Sequence, residues 1–374
     1  MDVMVVTGEV SGDQHAADLV AAMKAQQPGL RFFGMGGQRL AEQGLEQLFD
    51  AKEISVMGIA EVVPKLRRIL TVMNALAAAA AQRKPAVAVL VDIPDFNLRL
   101  AKRLKALGIK VAYYVSPTVW AWREGRVNQV RERVDRMLCI LPFEEQFYRE
   151  RGVDHALYVG SPVLEQMPPP APPAHFQQRL GLDPKRTWVA LLPGSRHSEL
   201  KRILPTLAAT GALLLERHPE ASLVVPLAPG LSRVEVEAGF NVPVTIIDGR
   251  APEILGAAHV AAVASGTATL EAGLMRCPMA AVYRVAELTY WVGKALVDAK
   301  HFSLVNLLLG RTVIPELLQR DFSPEATAAA LEKLWSGPER EQCLAGLDEV
   351  RKVLGEKKAA TTAAAEVLSL TSLR

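Results

Sequence analysis

The chain has 374 residues, half of them apolar, more than one ordinary core accommodates, and this predicts two domains. Forty-three Lys and Arg against 40 Asp and Glu leave a net charge of +3, too balanced for a nucleic-acid-binding protein. Cys139, Cys277 and Cys343 are widely spaced and the seven histidines form no HExxH or H-x-H pattern, so neither a disulfide framework nor a metal or other cofactor is expected.

The opening MDVMVVTGEVSGD lacks a cationic leader region and reads as a strand. The longest weakly polar stretch, Ile69 to Ala81, is interrupted and shorter than the roughly 20 residues that span a bilayer. A cytoplasmic protein able to touch a membrane surface is expected.

Strand-like and helix-like segments alternate along nearly the whole chain, which predicts an α/β protein with parallel sheets covered by helices on both faces. Val3 to Thr7 is a strand. Gly8-Glu9-Val10-Ser11-Gly12-Asp13 turns from it into a helix carrying Ala16, Leu19, Val20 and Met23, with Ser11 a candidate cap. The glycine spacing differs from the GxGxxG of a dinucleotide site. Leu30 to Gly37 is a second strand.

From Val62 to Leu76 a helical stripe of Val62, Leu66, Ile69 and Met73 is widened by Val63, Leu70, Val72 and Leu76, with Lys65, Arg67 and Arg68 interleaved. Such a basic, over-apolar helix suits a bilayer interface; a helix packed on both sides has the same letters. Pro64 requires that the helix begin there, because proline is tolerated only in a first turn.

Ala86 to Val91 is a strand that delivers Asp92 and Asp95 at its carboxyl end, where ligands of open α/β sheets sit. Asp92 comes straight off the strand and is the candidate acid–base group, while Asp95 is expected to cap the next helix. Lys110 to Val115 is a strand leading to Ser116-Pro-Thr-Val-Trp120-Ala-Trp122-Arg123, whose tryptophans contact a sugar or acyl chain if exposed and are core if buried. The next helix sets Val127, Val130 and Val134 between Arg126 and Arg133 on one flank and Arg131 on the other. Such arginines either reach phosphates or form a solvated flank. Arg136 to Leu141 and Ala156 to Val159 complete the first half. Five prolines in Met167 to Pro173 form a stiff linker near the domain boundary. The expected units are residues 1–165 and 166–335, with a helical tail over 336–374 that packs back on the first domain or exchanges with a second chain.

The second half opens with a strand over Thr187 to Leu192 and the turn Pro193-Gly194-Ser195-Arg196. A helix start there offers backbone N–H groups, and Arg196 suits bidentate phosphate contact; a surface arginine is the plain alternative. Ala221 to Pro226, Pro243 to Ile247, His259 to Ala264 and Pro278 to Tyr283 are further strands. The run Ala261 to Glu271, AAVASGTATLE, breaks from a strand at Ser265-Gly266 into a helix beginning near Thr267. Its free N–H groups fit phosphate oxygens, and Glu271, one turn inside, can accept hydrogen bonds from two ribose hydroxyls. A Ser or Thr cap followed by an acid favoured by the helix dipole would give the same letters.

Seven segments, taken together, resemble one family. Gly8-Glu-Val-Ser-Gly-Asp13, Val56-Met-Gly-Ile59, Asp92-x-Pro-Asp-Phe-Asn97, Tyr114-Val-Ser-Pro117 with Val119-Trp-Ala-Trp-Arg123, Leu191-Leu-Pro-Gly-Ser-Arg196, Ser265-Gly-Thr-Ala-Thr-Leu-Glu271 and Asn306-Leu-Leu308 look like the motif series of lipid-A-disaccharide synthases, in that family's order. The resemblance implies two Rossmann-like domains facing across a cleft, the GT-B type. It implies an inverting, metal-independent transfer from UDP-2,3-diacylglucosamine to 2,3-diacylglucosamine 1-phosphate, giving a β-1,6 disaccharide and UDP. Carried over by position, Asp92 is the base; Gly194, Ser195 and Arg196 contact diphosphate; Ser265, Gly266, Thr267 and Glu271 hold UDP; Asn306, Glu9 and Ser11 contact substrate. It further implies an inner-membrane surface met by Val62, Leu66, Ile69, Leu70 and Met73, and a homodimer exchanged through the C-terminal segment. Where family members carry Gly-His, this chain has Gly160-Ser161-Pro162, so Ser161 is assigned no role. The competing functions are another UDP-sugar enzyme of the same fold, either a muramyl-type N-acetylglucosaminyltransferase or a UDP-N-acetylglucosamine 2-epimerase, and a non-catalytic lipid-binding scaffold.

Overall fold

The computed structural model describes residues 1–54, 59–120, 125–285 and 301–371. The motif residues Val56, Gly58, Trp122 and Arg123 and the side chain of Val62 lie outside that description. The chain divides into two compact units, Met1–Pro162 with Glu356–Arg374, and Val163–Gly355.

In the first unit β1 (Asp2–Val6), α1 (Val10–Gln26), β2 (Arg31–Gly36), α2 (Gln38–Glu42), β3 (Leu45–Asp50), α3 (Ile59–Arg83), β4 (Val87–Val91), α4 (Pro94–Ala106), β5 (Lys110–Tyr114), α5 (Arg126–Arg133), β6 (Arg136–Cys139), α6 (Pro142–Arg149) and β7 (Ala156–Tyr158) follow in order. The strands form one parallel sheet, β3-β2-β1-β4-β5-β6-β7. Strand runs such as VAVLV in β4 are apolar on both faces because both are covered. Alternate residues serve different layers. Met4, Val6, Ala88 and Leu90 pack with Val72, Met73 and Leu76 of α3 and Leu100 and Leu104 of α4. Val3, Val5, Val87 and Val89 pack with Leu19 and Val20 of α1 on the opposite face.

The second unit takes in most of α7 (Pro162–Gln166), then α8 (Pro173–Leu180), β8 (Thr187–Leu192), α9 (His197–Arg217), β9 (Ala221–Leu227), α10 (Arg233–Ala238), β10 (Val244–Asp248), α11 (Ala251–Ala257), β11 (Val260–Ala264), α12 (Thr267–Leu274), β12 (Met279–Tyr283), α13 (Leu304–Leu309), β13 (Glu316–Leu318), α14 (Pro324–Lys333) and α15 (Pro338–Leu354). Its parallel sheet runs β10-β9-β8-β11-β12-β13.

Both sheets are doubly wound. The order reverses beside the first strand of each half, between β1 and β4 in one and between β8 and β11 in the other. Registers such as Val6 with Leu90 and Val263 with Leu192 bring the ends of those strand pairs level. Two crevices therefore open at carboxyl strand ends, where this architecture binds ligands.

The structure departs from the sequence expectations at several points. The first unit ends at Pro162, against the expected 165, and the last proline of the run, Pro173, starts α8. The tail divides. α15 stays with the second unit, where Arg276 pairs with Asp348 at 2.7 Å and Val350 packs near Gly273. The chain then turns at Gly355, and α16 (Ala359–Ser369) lies on the first unit, burying Ala363, Ala364 and Val367 against the α1 layer. Pro64 falls in the second turn of α3 rather than the first. Edge strands β3 and β13 were not expected.

Candidate functional site

The first crevice is built around a strained turn. Asp92, directly after β4, has φ +54, and Ile93 has φ +39, a region that costs a β-branched residue about 1–3 kcal/mol. Three groups hold it there. Buried Asn97 donates from Nδ2 to the carbonyls of Val91 (3.1 Å) and Asp92 (2.9 Å), and the Tyr113 hydroxyl donates to the Asp92 carbonyl. The turn thus sets the direction of the Asp92 carboxyl, which is half-buried. Burial first, and then the Asp92 charge, push the Tyr113 phenol well above its ordinary range, so it remains a donor.

The loop after β1 packs directly against this turn. A Cβ on Gly12 would stand 2.4 Å from Thr7 Oγ1 and 3.5 Å from Asp92 Cβ, and one on Gly8 would meet Ile93 Cδ1 at 2.8 Å. The glycines let the helix start approach the carboxylate. Asp13 is buried and accepts from the backbone N–H groups of Gly37 (2.6 Å) and Arg39 (2.9 Å), which fixes the neighbouring loop. Glu9 and Ser11 are exposed at the crevice rim. Ser11 does not cap α1: the helix begins one residue earlier and Glu9 is its N-cap. Asp95 is not a cap either. Ile93 holds that position in α4, and Asp95 pairs with Arg126.

Beyond β5, the loop expected to carry two tryptophans is anchored by a residue the sequence reading passed over. Glu144, fully buried, accepts from the Trp120 indole (3.2 Å) and from the backbone N–H groups of Leu141 (3.1 Å) and Ile140 (3.3 Å). Ser116 and Tyr148 share a further 3.1 Å hydrogen bond. Burial outweighs these bonds and raises the Glu144 carboxyl to about 7. A carboxyl whose folded value exceeds its unfolded one favours the protonated fold. That contribution is complete below about pH 4.5 and is lost as pH rises through about 7. Thermal melts should therefore show the protein losing stability between about pH 5 and pH 8, with Trp120 emission changing in the same window. Glu144→Gln should flatten both trends.

The second crevice contains two helix starts of different character. α12 begins with N-cap Gly266, φ +148, and no side chain caps it. Gly266 and Thr267 are exposed, so the first N–H groups face outward. The alternative of a Ser or Thr cap is thereby removed. Ser265 Oγ instead donates to the Phe302 carbonyl at 2.9 Å, and Thr269 Oγ1 accepts from Leu304 N at 3.2 Å. Glu271 is half-buried in the second turn, and its carboxylate has no partner among the described residues. Burial raises its pKa.

At α9 the expected open phosphate cradle is already filled. The Glu199 carboxylate accepts from Ser195 N (3.0 Å) and Arg196 N (3.3 Å), and Arg196 pairs with it at 3.5 Å. Gly194, at φ +107, is needed twice over: a Cβ there would lie 2.5 Å from Glu199 Oε2. The Arg196 side chain is half exposed beside this cap. Asn306 is also a correction. It is fully buried, donating to Ile314 O (2.9 Å) and accepting from Val313 N (2.8 Å) and Ile314 N (3.1 Å), so it braces a loop instead of facing a ligand.

The apolar stripe of α3 divides. Leu66 and Leu70 are 44% and 41% exposed. Ile69 is partly buried, and Met73 lies in the core with Val72 and Leu76, which removes Met73 from any membrane-facing set. Among the described residues no helix is long and apolar enough to cross a membrane, and no cluster of three His, Cys, Asp or Glu forms a metal site.

Solved structures share this fold. A kitacinnamycin glycotransferase matches at TM-score 0.68 and 14% identity, covering 99% of this chain and 98% of that one. A UDP-GlcNAc 2-epimerase from Neisseria meningitidis matches at TM-score 0.63 and 11% identity over 99% and 100%. At such identities the likeness concerns fold alone and does not separate transferases from epimerases. Sequence comparison does. The family model for lipid-A-disaccharide synthetase matches residues 3–369. A lipid-A-disaccharide synthase from Myxococcus xanthus is 56% identical over 98% of this chain and 97% of its own, and one from Anaeromyxobacter dehalogenans is 52% identical over the same shares. The chain belongs to the lipid-A-disaccharide synthase family and is a glycosyltransferase of lipid A disaccharide synthesis.

Proposed function

We propose that the chain condenses UDP-2,3-diacylglucosamine with 2,3-diacylglucosamine 1-phosphate, the second unit holding UDP and the first supplying the acceptor site and base. The observation that carries this division is Glu271, a half-buried carboxylate with no partner among the described residues, one turn inside an uncapped helix start. Vicinal ribose hydroxyls satisfy it, and the α12 N–H groups then meet the diphosphate. Arg196 adds a guanidinium as charge develops on the leaving group. The acceptor 6-hydroxyl attacks the anomeric carbon opposite the diphosphate. Its proton passes to Asp92, the new C–O bond forms as the bond to UDP breaks, and the configuration inverts. No step requires a metal.

Acylated substrates bring the enzyme to the inner-membrane surface, and Leu66 and Leu70 supply the exposed apolar contact. In a second copy, α16 would exchange to give a homodimer, since it follows a glycine turn and buries its alanine face on the first unit. The test uses Leu66→Ser with Leu70→Ser. Wild type should release UDP from the two acylated sugars in detergent and bind anionic vesicles. The double variant should keep its melting behaviour and detergent activity but lose most vesicle binding. Unchanged partition would remove the patch; turnover of non-acylated UDP-N-acetylglucosamine instead would overturn the acceptor assignment.

A further inference from the structure

Beside the Asp92 turn lies a polar cavity of about 320 Å³, lined by Pro94, Asp95, Leu98, Arg99, Arg126 and Gln129, with Gly125 at its edge. It begins two residues beyond Asp92. Arg126 on α5 is pinned across it to Asp95 on α4, with only 12% of the arginine side chain exposed. Arg133 fastens the same two helices by donating to Leu98 O (3.2 Å) and Gln129 Oε1 (3.0 Å). Arg99 is exposed and has no ion-pair partner among the described residues. Among the described residues that line the cavity, two guanidinium groups stand against one carboxylate. The charges of Asp92, Arg126 and Asp95 all act on the Tyr113 hydroxyl, which ties the cavity to the Asp92 turn.

We infer that this cavity is the subsite for a phosphomonoester, the 1-phosphate of the acceptor sugar, with Arg99 and Arg126 as its cationic walls and the Gln129 amide as a neutral donor. The inference rests on the acceptor assignment above and deepens it. A phosphomonoester carries close to two negative charges near neutral pH, and arginine is the side chain whose planar fork matches its oxygens. Asp95 aligns Arg126 across the cavity by engaging its guanidinium. An anion held here sits against the first turns of α4, whose first residue, Pro94, lines the cavity and stands two positions after Asp92. The sugar ring is thereby anchored at one end while its hydroxyl is offered to the carboxylate at the other.

The test compares Arg99→Gln with wild type in neutral detergent, using the acceptor and the same diacylglucosamine lacking its 1-phosphate. Arg99 is a surface residue, so the variant folds. The expected result is a rise of roughly tenfold or more in acceptor KM with donor KM unchanged, together with collapse of the preference for the phosphorylated acceptor. Inorganic phosphate should compete with acceptor in wild type and less so in the variant. Equal loss on both acceptors, or no change in acceptor KM, overturns the subsite. Loss of binding to phosphatidylglycerol vesicles with acceptor preference intact would assign the cavity to a lipid headgroup and also overturn it. Failure of the wild type to turn over either acceptor would sink the reaction assignment instead; phosphate titration by NMR at the Arg99 and Arg126 side chains would then decide the cavity separately.

Discussion

Asp92→Asn should lower kcat by roughly 10²–10⁴-fold, the usual worth of a positioned base, while the protein stays folded. Asparagine is the informative replacement because it keeps the side-chain shape and tolerates the left-handed backbone at φ +54. The turn would survive, since Asn97 and Tyr113 hold the Asp92 backbone carbonyl and not its carboxylate. The measurement is UDP release with both acylated sugars saturating, beside a melting curve. A variant turning over within threefold of wild type would remove Asp92 as the proton acceptor.

Glu271→Gln should weaken UDP binding by roughly tenfold to a hundredfold, the cost of replacing a charged hydrogen-bond acceptor by a neutral amide. The same change should raise stability in the absence of ligand. Burial lifts the Glu271 carboxyl above its unfolded value, so ionisation is penalised in the fold and stability falls as pH rises through the raised value. A glutamine removes that penalty above this value. Weaker UDP binding with a higher melting temperature at pH 8 is the signature of a carboxylate kept for a ligand. Titration calorimetry with UDP and melts at pH 5 and pH 8 read both. Unchanged UDP affinity would refute the ribose contact.

Some of the site could be read directly because its signals are local. Asp92 and Ser265-Gly266 follow apolar runs, and a strand that stops at a helix start marks a ligand end wherever the sheet is parallel. Glu199 was missed because a capping box is recognised by Ser or Thr at the N-cap, and here Arg196 stands there; the acid three residues on was the available signal. Asn97 stood in a quoted motif without a role, since nothing local shows that its amide crosses back to the Asp92 carbonyl. Glu144 drew no attention because nothing local separates it from an ordinary first-turn acid, and its bond from the Trp120 indole spans 24 residues. β3 and β13 were invisible because each carries too few apolar residues to repeat every second position.

By itself the sequence determined that two parallel α/β units exist, which strands end at the site and which acids and arginines are available there. Those properties follow from hydrophobic periodicity and from turn chemistry, which act over a few neighbouring residues. Tertiary structure alone decided that Met73 goes inside while Leu66 and Leu70 stay out, that Glu199 closes one helix start while the start at Gly266 stays open, and that Asp92 sits in a strained turn. Each of these depends on which distant group arrives within hydrogen-bond or van der Waals range, and sequence distance carries no information about that.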